Sequence, residues 1–455
     1  MTTKLVIQEE HLTELRAQLF DIPGVEGAAF LLCGQSVTAN QVGLVVHSVV
    51  RIDPEDVLAR EAFHLSIASR ALTRIAKLAR YENLSIVFAH SHPGGVAHFS
   101  EQDDAEEMRL LPFLQARVPG RIHGTVVLNE KSMVARVYAP ERRDVDKVLC
   151  IGSRYAMINE NGTGVDAELF DRQVRAFGAD TQRLLNRLHV GVVGVGGTGS
   201  PMAEQLVRLG VGKLSLFDGD RLSRSNLNRV YGTTANDVGN FKTHIAKARL
   251  DSYGLGTDIQ SIPRSILSDD VASELRSCDI VFGCTDKQLP RAILTQLSLR
   301  YAIPVIDVGV LIDSADQRIR GVYGRVTTLQ PGEACLFCRG RINPEGIRAE
   351  ALSPEDRQRQ IREGYAPELE EPAPAVIPFT TATASIAITE MLNRLTGFMG
   401  PDRLSTEVLS EFDKSRTRTN RIQSRDDCFC SDRGEQCRGD EDPFLGMVWP
   451  TRPPT

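Results

Sequence analysis

Long apolar runs are what this 455-residue sequence most plainly lacks. No stretch of about 18 residues is both uncharged and apolar throughout, which argues against a membrane-crossing helix, and MTTKLVIQEE at the N-terminus has no apolar core of the kind a secretory signal carries. Blocks of one charge sign are missing too. Lys and Arg number 53 against 59 Asp and Glu, a formal net charge of −6, so nothing draws the chain to nucleic acid or to an anionic membrane. There is no internal repeat and no low-complexity tract. Tryptophan occurs once, in the C-terminal EDPFLGMVWPTRPPT, whose prolines predict an extended tail. Cysteine, by contrast, is not scarce. Its nine copies are an odd number, and the CLFC and CFC clusters predict metal ligation in a reducing, cytoplasmic setting rather than disulfides. With 42% hydrophobic and 25% charged residues, a chain of this length predicts two or three globular domains.

The informative residues concentrate in 189–242. HVGVV predicts a buried strand, GVGGTGS a sharp turn, and PMAEQLVRLGVG a helix with Ala203, Leu206, Val207 and Gly210 on one face. KLSLFDGD predicts a second strand ending in an acid. Gly194, Gly196 and Gly199 stand at GxGxxG spacing, with Gly197 among them. There the missing Cβ atoms let the backbone turn and phosphate oxygens approach the helix N-terminus. Asp218 falls where a nucleotide-binding βαβ unit sets an acid on the ribose hydroxyls. An ordinary dinucleotide-binding unit explains this much equally well. The polar residues that follow do not suit it: Asp218, Asp220, Asn226, Asn228 and Arg229 are closely spaced, and Lys242 follows Gly239 at GxxK spacing. Arg229 and Lys242 can neutralise charge on a phosphate under attack. Asp286, ending CDIVFGCTD, stands where a carboxylate can hold Mg²⁺. The set points to ATP chemistry rather than hydride transfer.

Roughly the first 140 residues read as a different unit. GAAFLLCG and QVGLVVHSVVRID predict strands, and EAFHLSIASRALTRIAKLAR predicts a helix through Phe63, Ile67, Ala71, Ile75 and Leu78. LSIVFAHSHP predicts a strand ending in His90 and His92, which at i and i+2 share one face of an extended chain and can share one metal ion. Ser100 and Asp103 follow at SxxD spacing, which is also a helix N-terminus signature. Capping does not explain the two histidines ahead of Pro93. KVLCIGSRYAMI predicts a last strand of this unit or a strand of its own, and NENGTG has linker composition.

Beyond Lys242 the α/β alternation continues, with a helix to about 253, strands near 259–263 and 278–284, helices at 269–276 and 288–300, and a strand in YAIPVIDVGV. The charged, Pro-rich stretch after the CxxC predicts a mobile crossover, and ATASIAITEMLNRLTGF predicts a helix. The CxxC of Cys335 and Cys338 fits redox or zinc chemistry, whereas Cys278 and Cys284 flank an apolar strand as core thiols.

GVGGTGS, LFDGD, SNLNR, DVGNFK and CTDKQLPR, spread over roughly residues 168–430, resemble the adenylation domain of the ThiF/MoeB and ubiquitin-activating enzymes. The resemblance implies an α/β, Rossmann-like ATP-binding fold with a mixed sheet. It implies ATP- and Mg²⁺-dependent adenylation of the C-terminal glycine of a ubiquitin-like or sulfur-carrier β-grasp protein. Asp218 would bind the ribose, Asn226, Asn228, Arg229 and Lys242 would face the phosphates, and Asp286 would hold Mg²⁺. FDRQ resembles the entry motif whose arginine, Arg172 here, reaches the ATP of a partner subunit, which implies a homodimer. Split cysteine pairs at this position in the superfamily hold a structural Zn²⁺, implying a site of Cys335, Cys338, Cys428 and Cys430. The family favours CxxC for the second pair, and CFC is one residue short, so Cys437 is a possible replacement. The thioester-forming members carry a cysteine in or beside the crossover, and this sequence has none there. Cys437 and Cys150 are the remaining alternatives.

AHSHPGGVAHFSEQDD resembles the JAMM/MPN⁺ metalloprotease motif. The resemblance implies an α/β domain in which His90, His92 and Asp103 bind Zn²⁺ with the fourth position open. Glu26, in VEGAAFLLCG, would be the general base and Ser100 the oxyanion donor, while His98 is a loop residue. The implied domains are 1–145 (metalloprotease-like), 146–167 (linker) and 168–455 (adenylation). The combined expectation is one chain that processes or deconjugates a ubiquitin-like protein and activates it, with a conjugating enzyme or sulfurtransferase as a further partner. The alternatives are a sulfur-carrier adenylyltransferase for cofactor or metabolite biosynthesis, or an inactive binding scaffold.

Overall fold

A computed structural model of the chain describes residues 1–61, 65–159, 164, 166, 168–316, 318–352, 355–356, 359, 362, 374–401, 403 and 405–449. Two compact units emerge. The first is Met1–Asn161 with Leu299–Ala302 and Gly434–Asp442, and the second is Gly162–Ser298, Ile303–Arg433 and Pro443–Thr455.

The first unit runs β1 (Thr2–Gln8), α1 (Glu9–Leu19), β2 (Ala28–Val37), β3 (Gln41–Arg51), β4 (Val57–Arg60), β5 (Leu65–Ile67), α2 (Ser69–Glu82), β6 (Ser85–Ser91) and α3 (Glu101–Arg117). It continues with β7 (His123–Leu128), β8 (Met133–Tyr138), β9 (Arg142–Asp144), β10 (Lys147–Ile151) and β11 (Tyr155–Met157). All but β4 and β5 form one sheet in the order β11-β10-β1-β3-β2-β6-β7-β8-β9. Strand β2 shows why this sheet has helices on both faces. Leu31 and Cys33 join the core around Leu12, Leu15 and Leu19 of α1, while Phe30 and Leu32 join Ala71, Ile75 and Ala79 of α2 and Leu114 of α3. A strand buried on both sides reads as a continuous apolar run, as AAFLLC does.

The helix expected to begin near Phe63 starts instead at Ser69. Ile67 lies in β5, paired with Val57 of β4. Leu65 and Ile67 sit two apart, so the spacing that fitted a helix also fits a strand. Phe63 lies outside the described residues. Leu78 is partly exposed on α2, and the buried face is Ala71, Ile75, Ala76 and Ala79. The expected linker at 146–167 also differs. Lys147–Ile151 pairs in parallel with β1, and Tyr155–Met157 pairs with β10. Most of the linker-like NENGTG lies outside the described residues.

The second unit runs α4 (Asp171–Phe177), α5 (Ala179–Arg187), β12 (His189–Val193), α6 (Gly199–Arg208), β13 (Lys213–Phe217), α7 (Lys242–Asp251), β14 (Asp258–Ile262), α8 (Asp269–Glu274), β15 (Ile280–Gly283) and α9 (Gln288–Tyr301, whose last turn groups with the first unit). It ends with β16 (Val305–Ala315), β17 (Arg318–Leu329), α10 (Pro344–Glu350), α11 (Ile377–Thr396), β18 (Glu407–Glu411) and β19 (Arg416–Asn420). The sheet order is β14-β13-β12-β15-β16-β17-β18-β19, parallel through β16 and antiparallel beyond it. This is the expected mixed α/β sheet. Strand order reverses between β12 and β15, which opens a crevice at their carboxyl ends where open α/β sheets bind ligands. Helix α6 buries Met202, Ala203, Leu206 and Val207, and Gly210 lies just past its end at φ +77°. Most of the predicted crossover lies outside the described residues. Its start, α10, places the Glu350 carboxylate on the backbone N–H groups of Gln288 and Leu289, both at 2.8 Å, where α9 begins.

Candidate functional site

In the first unit, alternation along β6 and the residue after it sends His90 and His92 to one side and Ser91 to the other. The Ser91 hydroxyl accepts from Gly27 N at 2.9 Å and donates to Leu19 O at 3.1 Å. Ala28 pairs with His90 across β2 and β6, so Glu26 is carried to the same end of the sheet. Helix α3 delivers Asp103 from its first turn. Nε2 of His90 lies 3.2 Å from Nε2 of His92 and 2.9 Å from Asp103 Oδ1, and His92 Nε2 lies 3.6 Å from Asp103 Oδ2. Zinc bonds of about 2.0–2.1 Å in a tetrahedron set neighbouring ligand atoms about 3.3 Å apart, so these three residues fit Zn²⁺. Glu26 Oε1 stands 3.9 Å from His92 Nε2.

Burial disfavours charge on Asp103, but the bond and charge of His90, with bonds from Ser100, hold its carboxyl well below the usual carboxylate range. Burial, with His90 alongside, depresses His92. Both shifts keep the ligands in their metal-binding forms: an ionised carboxylate and a neutral imidazole. Ser100 caps α3. Its hydroxyl donates to Asp103 Oδ2 at 2.8 Å and accepts from Asp103 N at 3.2 Å, in a complete capping box. His98 is exposed and its Nδ1 bonds Val96 O at 3.0 Å, as a loop residue.

In the second unit, the turn after β12 depends on its glycines. Gly194 has φ +91°, and a Cβ there would lie 2.7 Å from Cys284 O. A Cβ on Gly199 would lie 1.8 Å from Gly194 O. Asp218 closes the loop from β13, accepting from Val195 N at 2.7 Å and from Asp220 N at 2.8 Å. Burial pushes its carboxyl upward against the pull of Lys242. Lys242 Nζ bonds Asp220 Oδ2 at 2.8 Å and stands 4.0 Å from Asp218 Oδ2. Arg229 reaches the loop from the other side: a Cβ on Gly197 would meet its Cδ at 3.3 Å and Thr380 Oγ1 of α11 at 3.5 Å.

Thus Asp218, Asp220, Lys242 and Arg229 gather on the glycine loop, where nothing in the sequence had pointed to Thr380. Asn228 Oδ1 accepts from Arg229 at 3.1 Å, and Asn226 Oδ1 accepts from Ser223 N at 3.1 Å, holding the polar loop in shape. Asp286 is exposed just after β15 and Arg172 is exposed on α4; among the described residues neither side chain makes a hydrogen bond or ion pair.

Cys335, Cys338, Cys428 and Cys430 come together, with Cys335 Sγ 3.6 Å from Cys428 Sγ and Cys338 Sγ 3.5 Å from Cys430 Sγ. Zinc–sulfur bonds of about 2.3 Å give tetrahedral edges near 3.8 Å, so this set also fits Zn²⁺. Arg425 N donates to Cys338 Sγ at 3.3 Å, as expected around a thiolate ligand. The CFC spacing therefore suffices, and Cys437 is elsewhere. It belongs to the first unit, where Gln8 Nε2 donates to its sulfur at 3.1 Å and burial pushes its thiol up to about 12. Burial likewise pushes Cys150 up to about 11. Neither has the exposed, acidified thiol that a nucleophile needs. Cys278 is buried as expected, and Cys284 is half-buried with its thiol pushed up by burial.

Residues 170–431 match the profile of the ThiF family, and residues 8–136 match that of prokaryotic homologues of the JAB domain. Protein HesA of Leptolyngbya boryana is 30% identical over 40% of this chain and 64% of its own length. The molybdopterin-synthase adenylyltransferase of Escherichia coli is 32% identical over 38% of this chain and 68% of its own. A sulfur carrier protein adenylyltransferase of Thermus thermophilus is 31% identical over 28% of this chain and 48% of its own. The chain thus spans about half to two thirds of these relatives. With the glycine loop, its acid and its two cations at the strand ends, the chain belongs to the ThiF family and carries a JAB domain ahead of the ThiF region.

Proposed function

We propose that this chain is a two-site, cytoplasmic enzyme acting on a ubiquitin-like β-grasp protein, working as a homodimer. In the ThiF region the glycine loop receives ATP, and Asp218 accepts from the ribose hydroxyls. The C-terminal glycine carboxylate of the β-grasp protein attacks the α-phosphorus, the α–β phosphoanhydride bond breaks, and pyrophosphate leaves with the electron pair. Arg229 and Lys242 hold the charge that grows on the phosphates, and Arg172 of the partner subunit adds a further cation. Mg²⁺, held by Asp286, would supply charge neutralisation on the phosphates. The observation that carries this reading is the convergence of Asp218, Lys242 and Arg229 on one glycine loop.

In the JAB domain, His90, His92 and Asp103 would hold Zn²⁺, which supplies Lewis acidity and makes water a nucleophile near neutral pH. Glu26 takes the proton from the attacking water and returns it to the departing amine, and Ser100 donates to the oxyanion. The bond cut joins the terminal glycine to an extension or to a conjugated lysine. Trapping with hydroxylamine tests the adenylation step: with ATP and Mg²⁺, a glycine-ended β-grasp protein should yield a C-terminal hydroxamate by mass spectrometry. A hydroxamate that forms equally well without ATP would rule the step out.

The name of the Thermus relative favours a second reading, in which the β-grasp protein is a sulfur carrier. The crossover carries no cysteine for a thioester, which agrees with chemistry that stops at the acyl-adenylate and passes it to sulfide or a sulfurtransferase.

A further inference from the structure

The proposed base, Glu26, sits in a turn whose backbone is gripped from two sides. From the metal-bearing strand, Ser91 accepts from Gly27 N at 2.9 Å and its own N–H donates to Gly27 O at 3.0 Å. From the residue after β4, Glu61 O accepts from Glu26 N at 2.9 Å. Arg60 Nε donates to Glu26 O at 2.6 Å. The Arg60 guanidinium is oriented in turn by Asp21, whose Oδ1 accepts from Nη2 at 2.6 Å. The fit is close enough that a Cβ on Gly27 would lie 2.3 Å from Leu19 O and 2.8 Å from Arg60 Nη2. One side chain therefore fixes the carbonyl of the residue whose carboxylate stands 3.9 Å from His92 Nε2.

We infer that Arg60, held by Asp21, is a positioning residue for Glu26 and sets where the base stands relative to the metal ligands. The inference rests on the peptidase reading of the JAB domain. Position matters because a misplacement of about 1 Å at a reacting group can cost about a hundredfold in rate. Packing is not the reason for Arg60. With Asp21 and Arg51 it lines an open cavity of about 390 Å³, so truncation removes the bond without sealing an empty void in the core. The guanidinium makes two directed bonds in one plane, which lysine reproduces only in part.

The test uses the full chain loaded with zinc and a β-grasp protein ending in Gly-Gly followed by a fluorophore-bearing peptide. Glu26→Gln serves as the reference for a missing base. Arg60→Ala should lower kcat about tenfold to a hundredfold with KM unchanged, Asp21→Asn should lower it less, and Arg60→Lys should recover part of the loss. Zinc affinity, measured by competition with a chromophoric chelator, should stay within about twofold of the parent in all three. In the metal-free protein, hydrogen exchange should quicken across residues 24–28 in Arg60→Ala. Parental kcat in Arg60→Ala, with Glu26→Gln inactive, would overturn the inference and leave the peptidase reading intact. No cleavage by the zinc-loaded parent chain would remove both. A fall in zinc affinity matching the fall in rate would make Arg60 a general stabiliser, contrary to the inference.

Discussion

Ser100, Lys242 and Asp286 each answer to a different demand, and substitutions at such positions separate the two chemistries. Asp286→Ala should abolish adenylation and leave peptidase activity intact, whereas His92→Ala or Glu26→Gln should do the reverse. A folded single variant that lost both activities would contradict independent sites. Lys242→Ala removes a cation from beside Asp218 and Asp220 and should slow adenylation about 10²- to 10³-fold, the usual cost of one transition-state donor. Calorimetry with ATP alone distinguishes that loss from failure to bind. Ser100→Ala loses a helix cap together with the proposed oxyanion donor, so its fall in rate should come with about 1 kcal/mol of lost stability. A rate loss without any stability loss would mean that the capping box contributes nothing.

At the scale of elements, α9 begins on a charge supplied from far along the chain. Glu350 of α10 caps the N–H groups of Gln288 and Leu289 just after Asp286. Glu350→Ala should therefore lower stability by about 1–2 kcal/mol, read from the midpoint of urea unfolding, with Glu350→Gln in between. Glu350→Ala with the parental midpoint would show that the cap is idle. The glycine loop was legible in the sequence because its causes are local: strand, three glycines at GxGxxG spacing and helix follow one another within a few residues. Elements set by distant partners were not. Strands β4 and β5 pair with each other, and Glu61 and Arg60 bind Glu26, contacts that no spacing announces. Strand β10 finds its partner β1 at the opposite end of the unit. The fate of Cys437 was equally hidden, because Gly439 bridges to Gln35 and a Cβ on Gly34 would meet Arg438 C at 2.3 Å. The candidate metal cluster lies between these cases. The histidine pair is local, but Glu26 is brought to it only by the β2–β6 register.

For the whole molecule, zinc bound at the four cysteines would tie stability to metal and pH. Without metal, burial raises the Cys428 thiol from 9.0 to about 11, and its bond to Cys335 together with burial raises Cys430 higher still. The metal-free second unit should therefore lose stability as pH rises from 9.0 toward about 11, where the unfolded chain ionises Cys428 and the folded chain does not. Zinc must displace the protons of both thiols, so calorimetry in buffers of different ionisation enthalpy should show at least two protons released per zinc. Release of none would exclude a thiolate site. Most telling for the proposed two-site enzyme is ATP–pyrophosphate exchange with the purified chain, Mg²⁺ and small β-grasp proteins, each tested with and without residues beyond the terminal glycine. The prediction is exchange with a glycine-ended form, and exchange with the extended form only when zinc is present and Glu26 intact. Absence of exchange with every glycine-ended protein, under conditions where ATP demonstrably binds, would contradict it.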